Sequence, residues 1–208
     1  ETLKVKKGDC DDLSVLYAAC LQNIGINTAL ILTPSHVFAM FDSGMSPSRA
    51  SRVILDPNLY RIEEGTAWIP VEVTMLGKPE KTFFDAWLKG KEQYNPDLER
   101  VYINEAWQEF KPAWSGPEVE IELPDKNLVL KQYYSDIVKA REYWQGIIDS
   151  ELEYLLAELK SQQSNKAQIR NRLGINYAMK GEFVKAEEQF RQAILLDPSV
   201  TRYHNNLA

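Results

Sequence analysis

Cysteine and histidine are scarce in this chain, two of each in 208 residues. Two cysteines cannot build a disulfide framework. Cys10 and Cys20 are ten residues apart in a helical pattern. That spacing separates them by about 15 Å, whereas bridged Cα atoms lie within about 7 Å, so both are read as free thiols. Basic charge is not in excess either. The net charge is −6, and residues 1–110 carry 11 basic against 16 acidic groups while residues 111–208 carry 13 against 14. Neither half offers the basic face that phosphate binding needs, which argues against a nucleic-acid surface. No apolar run approaches the ~20 residues of a membrane span, and no signal peptide is visible. The chain starts on Glu1 without a methionine, and the expectation is a longer natural chain.

What is present is an ordinary globular composition, 44% hydrophobic and 26% charged, enough for one sizeable domain and a smaller one. After "GDCDD", apolar residues fall at Leu13, Leu16, Tyr17, Cys20 and Ile24. These are helical offsets that predict one buried stripe. Cys20 lies on that stripe and reads as a small core hydrophobe, and Gly25 ends the helix. Cys10 precedes the stripe, at the helix start, where free N–H groups and the helix dipole favour a thiolate. Asp9, Asp11 and Asp12 surround it and work the other way. Their plainer role is capping of the helix N-terminus, which suits Asp11 and Asp12.

Four strand-like runs follow at 28–33, 36–41, 52–56 and 67–74, separated by turn-rich segments. With no helix between them they predict antiparallel pairing. A short helix is expected over "FFDAWLKGKEQY". Residues 111–127 hold three prolines and a glycine and read as a linker. Residues 128–166 predict a long helix or helix pair, with apolar positions at Ile137, Trp144, Ile148, Leu152, Leu155 and Leu159.

A thiol nucleophile needs a base. His204 reads as a surface helix residue, whereas His36 opens the strand "HVFAMF" directly after "TPS". On "AWIPVEVT" the period of two puts Glu72 with Trp68, Pro70 and Thr74 on one face, and Ile69, Val71 and Val73 on the other, towards a core. A carboxylate there can accept the imidazole N–H, fix its tautomer and stabilise an imidazolium beside a thiolate. Asp56 and Glu64 are the other carboxylates considered for that place.

"GDCDDLSVLYAACLQNIGI", "PSHVFAMF" and "WIPVEVT" resemble the three blocks of the bacterial transglutaminase-like domain, over about residues 1–110. The resemblance implies an α+β, papain-like core with a helix packed on an antiparallel sheet. It also implies Cys10 as nucleophile, His36 as general base and Glu72 as third member of the triad. Glu72 stands where the family usually has aspartate, one methylene shorter. The family also carries a segment ahead of its cysteine block that supplies part of the oxyanion hole, and only nine residues precede Cys10 here. Family members in bacteria are often exported, which makes the periplasm an expectation.

The stretch "AQIRNRLGINYAMKGEFVKAEEQFRQAILLDPSV", 34 residues from Ala167 to Val200, resembles a tetratricopeptide (TPR) repeat. Leu173, Gly174, Tyr177, Ala186, Phe190, Ala193 and Pro198 fit its register, and Arg170 replaces the frequent tryptophan. Gly174 and Ala186 would allow close helix crossing, with Tyr177 and Phe190 filling the interface. Residues 201–208 begin a second copy, and a lone repeat cannot cover its outer face, so a longer array is expected.

Three functions stand open. The first is a thiol enzyme acting on a peptide or protein substrate, as a cysteine peptidase, amidase or transglutaminase-like transamidase, with a protein partner on the TPR array and no cofactor. The second is an inactive domain of the same fold serving as a binding scaffold. The third makes Cys10, His36 and Glu72 zinc ligands. It ranks last because the close-spaced pairs of structural zinc sites, such as C-x-x-C, are absent.

Overall fold

A computed structural model describes residues 7–78, 80–110, 123–161 and 165–207. The chain is α+β and divides into two compact units, residues 1–139 and 140–208. The joint expected at 111–127 falls, from 111 to 122, outside the described residues.

The first unit is built on helix α1 (Cys10–Asn23), strands β1 (Thr28–Thr33) and β2 (His36–Asp42), and helix α2 (Pro47–Val53). Strands β3 (Arg61–Glu63) and β4 (Thr66–Val71), helix α3 (Phe83–Gln93), strand β5 (Glu99–Tyr102) and helix α4 (Ile103–Glu109) complete it. The five strands form one sheet in the order β3-β4-β2-β1-β5, with every pairing antiparallel, as expected. The β1–β2 hairpin turns on Pro34 and Ser35, with Thr33 opposite His36. Thr33 Oγ1 donates to the His36 carbonyl at 2.9 Å, which pins the first residue of β2.

The sheet curls until its two edges meet through side chains. Glu63 on edge strand β3 accepts from Tyr102 Oη, on edge strand β5, at 2.6 Å and from Tyr94 Oη at 3.2 Å. Arg100 on β5 adds an ion pair to the same carboxylate at 3.2 Å. Inside the curl lie Ala29, Ile31, Phe38, Met40, Trp68 and Tyr94. Apolar burial is the main driving force for this layer, and the Glu63 cluster gives it a closed edge.

Three expectations are corrected here. The run 52–56 is not a strand. Pro47 at the first helical turn is preorganised for helix, so α2 forms and carries Val53 to its exposed end. The strand expected at 67–74 stops at Val71 and gives way to a 3-10 turn at Val73–Met75. Third, β4 has no polar face: Ala67 through Val73 are all buried, because Trp68 joins the core cluster on one side and α3 lies against the strand at Pro70 and Val71. Strands β3 and β5, short and weakly patterned, have no counterpart in the sequence reading.

Helix α5 (Lys126–Ser161) is one continuous helix that begins in the first unit and ends in the second. Within the first unit, Asp136 Oδ1 accepts from the Phe84 N–H at 2.9 Å, capping the first turn of α3. Lys139 pairs with Asp85 at 2.7 Å. The second unit adds α6 (Lys166–Met179), α7 (Phe183–Leu196) and α8 (Thr201–Leu207) to the last turns of α5. Helices α6 and α7 form an antiparallel hairpin: Arg170 bonds Gln189 at 2.8 Å, and Lys185 lies 5.4 Å from the Tyr177 ring. Gly181, at φ +81°, makes the turn between them. Leu173, Gly174, Ala186, Phe190 and Ala193 are buried in the hairpin, and Gly174 has no room for a Cβ beside the Phe190 ring. Among the described residues no helix is long and apolar enough to cross a membrane.

Candidate active site

Asp9 is the N-cap of α1, its side chain accepting from the Asp11 and Asp12 N–H groups at 3.1 Å each. The capping role expected of Asp11 and Asp12 therefore belongs to Asp9. The other two occupy the first turn, where the helix dipole favours acids. Cys10 is the first helical residue, half-buried, and its Sγ donates to Asp11 Oδ1 at 3.2 Å.

The buried stripe of α1 also differs from the expected one. Ser14 and Ala18 face the protein, while Cys20 and Ile24 are exposed. Small residues win this face because the helix lies close to the sheet. Ser14 Oγ donates to the Val37 carbonyl at 3.2 Å, and Thr28 Oγ1 reaches the Ala18 carbonyl at 3.5 Å. Cys20 is thus a surface thiol, not a core residue. Cys10 sits one turn before Ser14, on the same helix face, and Ser14 is bonded to the residue that follows His36. The contact that the Cys10 thiol makes is with Asp11, not with His36.

His36 and Glu72 come together directly. Nε2 of His36 and Oε2 of Glu72 are 2.5 Å apart, with side-chain exposures of 27% and 3%. A contact this short between a ring nitrogen and a carboxylate needs a proton between them, so Nε2 carries the hydrogen and donates it. Nδ1 is then the ring atom left to act as a base. The imidazole stacks on Phe38, ring centres 6.4 Å apart.

Glu72 reaches this place because β4 ends one residue earlier, at Val71 opposite Ala39. Its own N–H donates to the Ala86 carbonyl of α3 at 2.9 Å. That bond requires α3 to lie against the strand, and Gly90, one turn on, permits it. A Cβ there would fall 2.6 Å from the Pro70 carbonyl and the Val71 nitrogen. The second carboxylate oxygen, Oε1, accepts from the Thr74 N–H at 3.0 Å and from Thr74 Oγ1 at 2.6 Å. Burial pushes the Glu72 carboxyl up. The hydrogen bonds from Thr74 and His36 and the charge of His36 pull harder, and the net position is below the ordinary glutamate value.

Thr74 is the residue that sequence reasoning missed in this role. The strand period puts it on the face of Glu72, two residues on, as a strand neighbour only. The other carboxylates considered are engaged elsewhere. Asp56 pairs with Lys91 at 2.6 Å and accepts from Asn58, and Glu64 is exposed on a turn at φ 50°. His204 is exposed and bonded to the Pro198 carbonyl. Among the described residues, no three His, Cys, Asp or Glu side chains gather so as to hold a metal ion. No protein-family model, curated protein or solved structure matches the chain.

Proposed function

We propose that residues 1–110 are a transglutaminase-like thiol acyl-transfer domain, with Cys10 as nucleophile, His36 as general base and Glu72 as its carboxylate partner. The observation that carries this reading is the 2.5 Å contact between His36 Nε2 and the buried Glu72 carboxylate. A carboxylate buried at 3% exposure carries a desolvation cost that it recovers only through its partners, and here the partners are the His36 imidazole and Thr74. The sequence order Cys, His, acid and the helix-on-sheet arrangement support the same reading.

In the reaction His36 Nδ1 takes the Cys10 proton as Sγ attacks the carbonyl carbon of a peptide or glutamine carboxamide. The resulting imidazolium, stabilised by Glu72, returns the proton to the leaving nitrogen as the C–N bond breaks. The thioester is then opened by water or an amine, whose proton passes to His36 and on to the departing thiol. The α6–α7 hairpin supports the second half of the proposal, a TPR-type module that holds a protein partner through its helical faces.

A second reading rests on the bond from Cys10 to Asp11: an inactive domain of the same fold that binds peptides. Alkylation separates the two, in a Cys20→Ser background because Cys20 is exposed. Under the enzyme reading Cys10 reacts with iodoacetamide much faster than free cysteine does at pH 7, and His36→Ala removes the excess. A Cys10 that reacts like free cysteine, indifferent to His36→Ala, would establish the binding scaffold instead.

A further inference from the structure

We propose that Thr74 is a positioning residue for the same site, a two-point clamp that aims the longer Glu72 side chain at His36. The proposal rests on the acyl-transfer reading. A glutamate has one more rotatable bond than the aspartate of the resembling family, and a carboxylate free to turn offers either oxygen in any of several directions. Around Glu72 that freedom is removed stepwise. The backbone is held at its N–H by the Ala86 carbonyl and at its carbonyl by the Met75 N–H at 3.0 Å. The 3-10 turn Val73–Met75 follows at once, with Val73 buried. Within that turn Thr74 brings two donors, its N–H and its hydroxyl, to Oε1 alone.

With Oε1 taken twice, Oε2 is the oxygen that meets His36. The longer side chain is therefore held within the turn. Thr74 touches neither thiol nor substrate and acts through Glu72 alone. Its hydroxyl is the part that side-chain substitution can remove, because the N–H bond to Oε1 persists in any residue but proline.

The test compares Thr74→Val and Thr74→Ser with the parent chain, all carrying Cys20→Ser, with Thr74→Ala in reserve should the valine unfold the domain. Two signals are read: the iodoacetamide rate of Cys10 as a function of pH, and the downfield proton resonance of the His36 Nε2–H bonded to Glu72. Thr74→Val is expected to slow Cys10 about tenfold, the loss of one hydrogen bond to a charged group, and to move the resonance upfield. Thr74→Ser is expected to restore both, with unfolding midpoints close to the parent's. A resonance and a rate unchanged in Thr74→Val, while His36→Ala still slows Cys10, overturn the clamp and leave the enzyme reading standing. A Cys10 rate indifferent to His36→Ala overturns the enzyme reading, and the clamp falls with it.

Discussion

The two units of the chain bury different kinds of side chain. Among the described residues, the first buries Ser14, Thr28, Asp56, Glu72 and Thr82, and the second buries one polar residue, Asn171. Each of the five has a directed partner: a carbonyl for Ser14 and Thr28, Lys91 and Asn58 for Asp56, His36 and Thr74 for Glu72, and Asp85 for Thr82. Hydrogen bonds of this kind contribute modestly but are expensive to leave unmade, so they fix geometry more than they add stability. The second unit is packed by shape, with small residues opposite rings, and Asn171 accepts from Asn206 at 2.8 Å. Directed polar burial suits a reaction centre. Shape packing suits a surface that presents helices to a partner.

The hardest blow to that contrast is Glu72→Ala. It leaves His36 without its acceptor and Thr74 with two donors facing a gap. Hydrolysis of an activated p-nitrophenyl ester by the Cys20→Ser chain is expected to fall about 10³- to 10⁴-fold, the scale seen when a triad loses its carboxylate. Asn171→Ala, the counterpart in the second unit, should leave the same rate unchanged. Equal effects from the two would erase the distinction between the units.

Glycine sharpens the comparison next. Gly90 and Gly174 both sit in helices at close crossings, and each would gain about 1 kcal/mol of helix propensity as alanine. At Gly90 the added Cβ meets backbone 2.6 Å away at Pro70 and Val71. Backbone there cannot yield without moving α3 off β4. At Gly174 it meets the Phe190 ring, a side chain able to turn. Urea titration should show Gly90→Ala destabilising by about 3 kcal/mol and Gly174→Ala by about 1 kcal/mol. Gly90→Ala should also cost activity, because the Ala86 carbonyl holds the Glu72 N–H.

Much of this arrangement is legible in the sequence, and the limits have physical causes. The hairpin, α3 and the helical C-terminal region follow from periodicity and turn residues. The sequence pattern names His36 and Glu72 together, and they lie in contact. The stripe through Cys20 misled because hydrophobicity outranks size in a periodicity argument. The face of α1 that meets the sheet is chosen by closeness, and its fully buried residues are Ser14 and Ala18. The end of β4 misled because "VEVT" alternates like a strand, while the Thr74 N–H and hydroxyl donate to the Glu72 carboxylate and turn the chain instead. Local side-chain to backbone bonds compete with ladders in this way, and alternation does not reveal them. The edges β3 and β5 depend on Glu63 meeting Tyr102 across the whole sheet, a contact that no local pattern carries.

Glu72→Asp is a finer probe of the same turn. One methylene shorter, the carboxylate can stay with Thr74 or reach His36, but not both at hydrogen-bond distance. Ester hydrolysis is expected to drop about tenfold although aspartate is usual in the family that residues 1–110 resemble. A rate equal to the parent's would show that the turn, not the side-chain length, sets the contact.

Acid titration gives the smallest effect and asks the question of both units at once. Glu72 lies below the ordinary glutamate value of 4.5 when folded, and Asp85 lies below 3.8, where its bonds from Lys139 and Thr82 outweigh burial. Groups depressed in this way stabilise the fold above their ordinary values, and the contribution fades as pH falls through the folded ones. In the second unit Asp149 and Glu182 are depressed as well, by hydrogen bonds from Lys180 and Lys185. Those pairs are exposed and open to screening by salt. Backbone amide shifts of α6 and α7 through a descending pH series, at low and at high salt, read the helical unit. Near-UV signals from Trp68 and Tyr102, packed edge to face at 5.5 Å, read the sheet unit. Salt should narrow the acid response of the helical unit more than that of the sheet unit, where the exposed Lys89–Glu92 pair responds to salt but Glu72, at 3% exposure, is out of reach of ions. Salt sensitivity in the sheet unit that persists in a Glu92→Gln chain, where the exposed Lys89–Glu92 pair is gone, and equals that of the helical unit would overturn the contrast between directed burial and shape packing.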